Sequence, residues 1–565
     1  MKLFLLFLIV PFFFSAQEIR KENLTKKKKY YYDVKKENLE SEGCYYTNPL
    51  GETTEKHGKW SYYSPEGSLQ EERTYFRGKL YGPVITFYSN GKKSKEGYFL
   101  WDKPDSVYRE WNETGKLAME GFYEDGKPIN NWSYWYISGR KKMEEEIVGG
   151  VSYVRQFWYD DSLHTQGVKN GDGTMVTYFL TGGEQEYYNY KDGLKHGIFE
   201  EFSPYGYKLI DGKYSEGNKD STWNFYYYTG KIEKTSNYKN DVLNGNYVNY
   251  YDNGKVSVEG TYENGKKTGK WSWYTNRAVL DQSGFFKDDE QHGKWTFNYP
   301  TGELSYLAEF DMGKKTGTWT YFYKDQTKFK QGTFKNDEKN GKWETWYEDG
   351  TLLMTGDYVD GKENGVWKNY WENGKLKNEA TFENGQLNGP WKSFYLDGKP
   401  KMACEYKDNL MVGTYTEYFE NGKPSDIGEY KTIKIKSKLD YGPMKDHEVK
   451  ESVKDGRWTS FSQKDNKKTE EGDYKNGQKD GAWISYYPGG RNPSNINTYK
   501  EGKLHGTSYM YDRRGNIVSD CEYKDGLKHG KMKVYDKKGK VIKELKFENG
   551  LQVIEGQSTG TFSPK

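Results

Sequence analysis

Aromatic residues rather than aliphatic ones mark the hydrophobic positions of this chain, and they recur with a constant 24-residue period. If each repeat is numbered from an anchor residue, usually glycine, at position 0, tryptophan stands at position +2 in most copies. Another aromatic residue stands at +5, a small residue at +15 and Tyr or Phe at +17. Eleven successive anchors, from Gly173 to Gly413, keep the spacing without a slip. A short fixed period indicates a repeat architecture in which one small unit is stacked on itself.

Each repeat has the pattern of a β-hairpin. Two aromatic-rich runs of six to eight residues are separated by Asn-Gly or Asp-Gly, as at Gly254 and Gly374, and these dipeptides are the strongest short-range turn signal. No long window shows a helical period. The sequence therefore predicts an all-β fold: an elongated repeat protein of stacked antiparallel β-hairpins that form one long twisted sheet.

The period breaks twice, and the breaks divide the chain into blocks. The gap between anchors 130 and 173 equals the gap between anchors 413 and 456, and each is one full repeat and most of a second. Each break is either a decayed repeat or a hinge or protruding element, and the alternation around Ile433 and Ile435 indicates a strand with lysines on its other face. We expect changes of direction or protruding segments near residues 140–172 and 424–455.

The predicted divisions are a signal peptide (1–16), a basic, Tyr-rich segment (17–56), a first repeat block (57–140), an irregular or diverged repeat (141–172), a central regular block (173–424), a second irregular or diverged repeat (425–455), a third block (456–550) and a C-terminal tail (551–565).

The N-terminal residues predict export. Lys2 supplies a positive charge, residues 3–14 form an apolar stretch, and Ser15 and Ala16 are small residues of the kind found at a cleavage site. This is the order of a secretory signal peptide. The apolar stretch is too short to span a bilayer, and a buried N-terminal strand is the alternative. We predict cleavage after Ala16, a mature chain that begins at Gln17, and a periplasmic, outer-surface or secreted location.

The overall composition favours a folded β protein without a nucleic-acid partner. A mean hydropathy of −1.09 with 30% charged residues would ordinarily indicate disorder. However, 18% of the residues are aromatic, and each such ring can bury a large area. The formal net charge is only +3, which gives no support for binding nucleic acid.

The histidines follow the repeat instead of forming a site. Five of the seven occupy the position just before the anchor, where other repeats carry Thr or Asn. A position that accepts His, Thr or Asn is a turn position rather than that of a general base or metal ligand. His164 and His447 lie alone in the two breaks, so local spacing assembles no metal site. The five turn histidines are His57, His196, His292, His505 and His529.

The remaining reactive residues also lack a catalytic pattern. Cys404 and Cys521 stand at position +15 as small buried fillers, and Cys44 precedes the repeats, so no disulfide framework is indicated. Residues 287–290 form a carboxylate-rich turn without the calcium-loop pattern. The sequence contains no phosphate-binding loop, dinucleotide fingerprint or nucleophile elbow. We therefore expect no enzyme activity, no cofactor and no metal.

The repeat resembles a known family. The segments EGTYENGKKTGKWSWY (259–274) and NGVWKNYWENGKLKNEATFENGQLNG (364–389) resemble the MORN repeat. They are most similar to the bacterial variant found in YwqK-family antitoxins. The resemblance covers roughly residues 57–550, and it implies elongated antiparallel sheets that act as scaffolds for proteins or, in some members, for membrane lipids.

Three functions remain open. The leading expectation is a non-enzymatic, exported scaffold for protein–protein interaction in the cell envelope, because a long aromatic and charged surface suits multivalent contact. A carbohydrate or cell-wall binder is the second, since exposed rings stack on sugars. An antitoxin or immunity-type protein is the third, as the resemblance implies, although a signal peptide argues against a cytoplasmic toxin target. The lysines at residues 26–29, followed by Tyr30–Tyr32, could touch a membrane surface, but a solvated segment is the simpler interpretation.

The repeat positions are the residues that we expect to matter structurally. Tryptophans at +2 are predicted to fill buried sites, and anchor glycines to form turns. Side chains alternate between the two faces along a strand, and positions +2 and +5 are an odd number of residues apart. Both faces of the sheet therefore carry rings unless a bulge intervenes. The predicted structural residues are Trp60, Trp132, Trp223, Trp271, Trp295, Trp319, Trp343, Trp367, Trp391, Trp458 and Trp483, with Gly245, Gly269, Gly293, Gly317, Gly341, Gly365 and Gly389.

Overall fold

The computed structural model describes residues 19–436 and 448–553, so the predicted signal peptide lies outside the described residues. The predicted all-β fold of stacked antiparallel hairpins is confirmed. The chain divides into two compact units, Met1–Lys267 and Thr268–Lys565. Helix among the described residues is limited to one 3-10 turn, and none of it has the length and apolar character that a membrane crossing needs.

The first unit is an antiparallel array in which each strand from β1 to β20 pairs with the next one along the chain. The division between the units falls within β21 (Lys266–Tyr274). The elements of the first unit are a 3-10 helix (Lys21–Asn23), β1 (Lys28–Tyr31), β2 (Leu39–Asn48), β3 (Gly51–Tyr63), β4 (Leu69–Phe76), β5 (Lys79–Phe87), β6 (Lys93–Leu100), β7 (Lys103–Trp111), β8 (Leu117–Glu124), β9 (Lys127–Trp135), β10 (Lys141–Val148), β11 (Val151–Trp158), β12 (Gln166–Lys169), β13 (Asp172–Tyr178), β14 (Glu184–Lys191), β15 (Leu194–Phe202), β16 (Lys208–Ser215), β17 (Asn218–Tyr226), β18 (Ile232–Lys239), β19 (Val242–Tyr250) and β20 (Val256–Glu263).

The second unit repeats the arrangement. Consecutive strands from β21 to β45 pair antiparallel, except that β27 and β28 share the partner β26, and β40 and β41 share β39. Its strands are β22 (Leu280–Lys287), β23 (Glu290–Asn298), β24 (Leu304–Asp311), β25 (Lys314–Phe322), β26 (Lys328–Lys335), β27 (Glu338–Lys339), β28 (Gly341–Trp346), β29 (Leu352–Val359), β30 (Lys362–Tyr370), β31 (Leu376–Glu383), β32 (Gln386–Phe394), β33 (Pro400–Lys407), β34 (Leu410–Tyr418), β35 (Pro424–Lys436), β36 (Glu448–Phe461), β37 (Lys468–Lys475), β38 (Gln478–Tyr486), β39 (Pro493–Lys500), β40 (Lys503–Leu504), β41 (Gly506–Tyr511), β42 (Ile517–Lys524), β43 (Leu527–Tyr535), β44 (Val541–Glu548) and β45 (Leu551–Val553).

Two kinds of turn alternate along each unit. Between repeats, a two-residue turn such as Asn384-Gly385 has φ of 52° and 83°, and two successive positive φ angles define the hairpin turn that Asn-Gly favours. Within each repeat, a longer turn is closed by a main-chain hydrogen bond, as from Trp371 N to Lys375 O at 2.8 Å. The constant period therefore follows from two fixed turns and two strands of fixed length.

The tryptophan at +2 packs on the small residue at +15 of the preceding repeat. The indole of Trp343 lies against Gly332, so a Cβ added at that glycine would overlap the ring. The indole Nε1 of Trp343 donates to Thr333 O at 3.2 Å. Two positions that recur separately in the sequence thus form one contact between successive repeats. The same overlap of ring and glycine occurs for Trp60, Trp132, Trp223, Trp295, Trp367, Trp458 and Trp483.

Where +15 carries serine or cysteine instead of glycine or alanine, the next +2 carries a side chain smaller than tryptophan. Ser236 pairs with Tyr247 and Cys521 with Met532, in each case without a tryptophan. The size of one residue therefore limits the size of its partner in the following repeat, as close packing requires.

A bulge modifies the simple alternation of faces. Positions +2 and +4 share a face, where Trp295 and Phe297 stack with ring centroids 5.8 Å apart. The register then shifts between +4 and +5, as between Thr345 and Trp346, because Leu353 has no counterpart on the opposite strand. The bulge that the sequence left open is therefore present in the regular hairpins.

A tyrosine at position +6, which the sequence analysis did not single out, links at least eight of the described repeats to the next one. Tyr323 Oη donates to Trp346 O at 2.9 Å, and Tyr347 Oη donates to Tyr370 O at 3.0 Å. Each bond joins the end of one repeat to the main chain of its successor. The equivalent bonds are made by Tyr88, Tyr136, Tyr227, Tyr299, Tyr395 and Tyr487.

Candidate binding sites at the two breaks

The first break contains a repeat with a shortened second strand. β11 pairs with β10 as the first strand of a repeat does, with Glu144 opposite Gln156. The second strand, β12, has four residues, whereas the regular strand β31 has eight. Residues 141–172 thus contain two strands in the order of a repeat, β11 and β12, with the second strand shortened.

Because β12 is short, strands that are not neighbours in sequence meet at one end of it. Val154 N donates to Gly193 O at 2.8 Å, and Gly193 N donates to Gly171 O at 2.9 Å. At this end β11 therefore contacts the turn between β14 and β15 directly. At the opposite end, β12 and β13 stand between β11 and β14, so the strands are spread apart there.

A shared core lies beneath this irregularity. Val168 on β12 is fully buried, and Phe157 on β11 is 2% exposed. They belong to one cluster of buried residues with Tyr188, Phe199 and Trp223. The break is therefore held by apolar packing that extends over several strands.

The spread end of these strands forms an open cleft of about 1190 Å³. Its lining combines aromatic rings with short polar side chains. The residues that line it are Tyr136, Lys142, Phe157, Tyr159, Asp160, Asp161, Thr165, Val176, Thr177, Tyr178, Phe179, Leu180 and Gln185. We call this surface the tyrosine cleft.

Two rings of the tyrosine cleft are fixed by hydrogen bonds. Tyr136 Oη donates to Trp158 O at 2.8 Å, and burial raises the pKa of Tyr136 to about 12. Tyr159 Oη accepts from Val176 N at 3.2 Å and lies 3.3 Å from Thr174 O. Both phenols are therefore neutral near pH 7, and their rings are held in place before any ligand arrives.

The exposed edge of the cleft carries a third ring and two carboxylates. Tyr178 is 51% exposed, with its ring centroid 6.4 Å from that of Tyr159. Asp160 Oδ1 accepts from Ser138 Oγ at 2.8 Å. A hydrogen bond from Thr165 N to Asp161 Oδ1, at 2.9 Å, lowers the pKa of Asp161. Asp161 is therefore a charged acceptor at neutral pH.

The second break has the opposite construction, a lengthened hairpin. β35 and β36 pair from Lys431–Val453 out to Lys436–Glu448, six residue pairs beyond the regular hairpin. β34 pairs with β35 only as far as Tyr430, and β37 pairs with β36 only from Gly456 onward. Residues 431–436 and 448–453, which we call the ribbon, are thus two-stranded, and neither outer edge is paired to another strand within the described part of the chain.

The two faces of the ribbon differ in character. Ile433 and Ile435 share one face with Val449 and Val453, and Lys431 and Glu451 flank them there. Lys434 and Lys450 lie opposite each other on the other face. This is the strand that the alternation around the two isoleucines predicted. Lys434 Nζ also pairs with Glu448 at 2.8 Å.

A buried glutamate holds the base of the lengthened hairpin. Glu471 on β37 is 7% exposed; its carboxylate lies 3.2 Å from Arg457 on β36 and 2.7 Å from Lys468, and it accepts from Tyr486 Oη at 2.5 Å. Burial by itself would raise the pKa of Glu471, but these hydrogen bonds outweigh it and hold the pKa at about 2.

The structure buries ten of the eleven predicted tryptophans to 5% exposure or less. Trp391 is half-buried, and it lies directly opposite Ala380, as Tyr247 lies opposite Ser236 and Met532 opposite Cys521. The predicted anchor glycines all have positive φ: Gly245, Gly269, Gly293, Gly317, Gly341, Gly365 and Gly389.

The histidines do not converge. Among the described histidines, His57 alone is fully buried. Its Nδ1 accepts from Arg77 N at 3.2 Å, and burial lowers the pKa of His57. His164 Nε2 lies 2.7 Å from Lys141 O. His292 and His505 each approach an aspartate, at 3.3 and 3.4 Å. His447 lies outside the described residues, and within them no group of three or more His, Cys, Asp or Glu could hold a metal ion.

The other flagged residues have local structural surroundings. Cys404 and Cys521 are free and buried at position +15, and burial raises the pKa of Cys404 to about 11. In the N-terminal lysine run, Lys27 pairs with Glu42 at 2.6 Å. The acidic run at 287–290 forms a hairpin turn with positive φ at its two aspartates.

Sequence reasoning missed the tyrosine cleft, although a signal was present. The pair Trp158-Tyr159 repeats the pair Trp135-Tyr136 after nearly one full period, close to the spacing at which the +6 tyrosines recur. That recurrence identifies residues 151–158 as a repeat strand and leaves the two aspartates after Tyr159 in its turn.

Two solved structures illustrate a weak similarity to this chain. Chains of the crystal structure of TcdB2-TccC3-Cdc42 are 10% identical over 88% of this chain and 30% of that chain, with a TM-score of 0.12. Choline binding protein F from Streptococcus pneumoniae, in the presence of a peptidoglycan analogue, is 15% identical over 50% of this chain and 96% of that chain, with a TM-score of 0.14. TM-scores this low do not establish a shared fold. No curated protein matches the chain.

The family comparison is specific. The MORN repeat variant matches eleven segments, which lie in both units and follow the period of the anchors. The matched segments are 56–76, 104–125, 219–240, 243–264, 291–312, 339–360, 363–384, 387–408, 411–432, 504–525 and 528–549. Together with the hairpin array and the packing of tryptophan on glycine between repeats, these matches show that the chain is a MORN repeat protein of the variant class.

Proposed function

We propose that this MORN repeat protein is an exported, non-enzymatic scaffold that binds an extended segment of a partner protein along the ribbon. The observation that carries the proposal is the pair of outer edges on residues 431–436 and 448–453, to which no other strand of the described chain is paired. An open strand edge offers a row of main-chain donors and acceptors to which another strand can add.

The ribbon differs from every regular repeat in the features that binding requires. Regular strands are paired on both sides, so their main-chain groups are already satisfied. The lysines on the ribbon oppose pairing with a second copy of itself, since like charges across a strand pair destabilise it. The motive for export is the order of charged, apolar and small residues at positions 1–16.

The side chains of the ribbon define the partner. Ile433, Ile435 and Val449 favour apolar residues at alternate positions of an added strand. Lys434 and Lys450 on the opposite face favour acidic residues at the positions between. We therefore propose an extended peptide segment in which apolar and acidic residues alternate.

The test removes the ribbon without disturbing the repeat. Replacing residues 432–452 with Asn-Gly restores the regular spacing between anchors 413 and 456 and the two-residue turn of the regular hairpins. Peptides with alternating apolar and acidic residues are selected from a displayed library on the full chain. Their affinities for the full chain and for the Asn-Gly variant are then compared by fluorescence anisotropy.

The proposal requires peptides that bind the full chain, lose binding in the Asn-Gly variant, and slow hydrogen exchange of main-chain amides in the ribbon. Equal affinity for both proteins, or slowed exchange only elsewhere, would contradict it. Mass spectrometry of protein from the native host tests export separately. An intact Met1 in a cytoplasmic fraction would refute export and leave the ribbon result unaffected.

A further inference from the structure

The tyrosine cleft is a second surface that the repeat does not dictate and that the ribbon does not use. It belongs entirely to the first unit, whereas the ribbon belongs to the second. Its rings and its short polar side chains face the same open space. A ligand for this cleft must offer both an apolar face and a rim of hydrogen-bonding groups.

A sugar ring has this combination. Its axial C–H groups form an apolar face that packs on an aromatic ring, and its hydroxyl groups donate to carboxylate and amide oxygens. Tyr178 supplies an exposed ring, and Asp160, Asp161 and Gln185 supply acceptors along the rim.

Size and charge decide between candidate ligands. A small organic cation also favours rings beside carboxylates, but it is held by a tight cage, and the cleft of about 1190 Å³ exceeds the usual range of about 300–1,000 Å³ for small-molecule pockets. An acidic ligand would be repelled by the two aspartates. A neutral ligand of several linked rings fits both observations.

We propose that the tyrosine cleft binds a neutral oligosaccharide, with Tyr178 as the stacking platform and Asp160 and Asp161 as hydroxyl acceptors. The site is assembled before binding, because main-chain hydrogen bonds fix Tyr136 and Tyr159 and the core beneath holds β11 and β12. Preorganisation of this kind lowers the cost of binding. The inference goes beyond the scaffold function and does not depend on it.

The test measures binding of cellotetraose, maltotetraose and chitotetraose to the full chain by isothermal titration calorimetry, after a glycan array has ranked neutral glycans. Three tyrosine variants are compared. Tyr178→Ala removes the platform, Tyr178→Phe keeps the ring, and Tyr205→Ala removes a tyrosine that is 84% exposed and lies outside the cleft. Thermal unfolding confirms that each variant is folded, which the exposure of both tyrosines favours.

We expect at least one neutral glycan to bind, Tyr178→Ala to weaken it tenfold or more, and Tyr178→Phe and Tyr205→Ala to change it less than threefold. Asp161→Asn should weaken binding as well, because an amide nitrogen replaces one acceptor. Three results would overturn the inference: no neutral glycan binds, Tyr205→Ala weakens binding as much as Tyr178→Ala does, or choline binds and glycans do not. The Asn-Gly ribbon variant should bind the glycan like the full chain, so the two proposals fail independently.

Discussion

The two breaks in the repeat have the same length and opposite structures. Both place one full repeat and most of a second between their anchors. In the first, a strand is shortened, and β11 reaches the turn between β14 and β15. In the second, a turn is lengthened, and the flanking strands continue as a two-stranded ribbon. The two breaks show that the position of a length change matters more than its size. A change within a strand alters the pairing of the neighbouring strands, whereas a change at a turn adds a segment and leaves the pairing of the repeats intact.

The contact between tryptophan and glycine shows the difference directly. Across the second break, the indole of Trp458 still lies on Gly428, as Trp343 lies on Gly332 in a regular repeat. At the first break, position +2 after anchor 173 is Met175, and Phe157 and Val168 build a different core. An insertion at a turn leaves the contact between repeats intact, whereas a shortened strand requires a new core.

The largest expected loss of stability comes from placing a charge in the core of the first break, and the same change in the ribbon should have a much smaller effect. Val168→Asp places a charge at a fully buried site and should destabilise the first unit locally by about 4 kcal/mol or more. Ile433→Asp, on the half-exposed ribbon, should cost less than about 1 kcal/mol. Hydrogen exchange resolved by segment measures both. Equal costs would mean that the first break has no special core.

The next largest loss of stability is expected from removing a tryptophan at +2 in a regular repeat. Trp343→Ala should cost about 3–5 kcal/mol, the range for emptying a buried aromatic site, and the loss should be confined to adjacent repeats because solenoid repeats couple mainly to neighbours. Trp391→Ala is the matched control, since Trp391 is half-buried and should cost less. Chemical denaturation followed by tryptophan fluorescence and segment-resolved exchange would show this order. If Trp391→Ala lowers the free energy of unfolding as much as Trp343→Ala does, burial does not determine how much a tryptophan at +2 stabilises the protein.

A smaller effect concerns the base of the lengthened hairpin. The pKa of Glu471 is held near 2, below that of an unfolded glutamate, so its stabilisation is fully present above about pH 4.3 and is lost as the pH falls toward 2. Glu471→Gln should cost about 1–3 kcal/mol at pH 7 and remove this pH dependence. Thermal unfolding of both proteins between pH 7 and pH 2 is the measurement. Parallel curves would show that Glu471 stays protonated or unpaired.

The smallest effect should come from removing the ribbon. Replacing residues 432–452 with Asn-Gly should change stability by less than about 1 kcal/mol, because loop closure depends only weakly on length and no strand outside the ribbon pairs with the removed residues in the described chain. Denaturant unfolding measures this change. A loss of several kcal/mol would show that the ribbon supports the array as the first break does.

The sequence was sufficient for the repeat and for the strand at Ile433 and Ile435 in the second break, but not for the first break. The hairpins, their turns and the small residue at +15 follow from periodicity, because every copy repeats the same local signal. The sequence also contained a signal for the contact between +15 and the next +2. Ser236 replaces the usual glycine at +15, and Tyr247 replaces the usual tryptophan at the next +2. The tyrosine cleft was not predicted, because it depends on Val154 meeting Gly193, a contact that no local pattern specifies.

The rule that joins position +15 to the next tryptophan also determines how the array can be extended. In the repeat anchored at Gly530, position +15 is Leu545, opposite Met532. A leucine fills the space that an indole needs, so a repeat with tryptophan at +2 cannot be added after it without a clash. A repeat that follows Leu545 therefore needs a side chain smaller than tryptophan at +2, as Phe199 supplies opposite Tyr188 in the first unit.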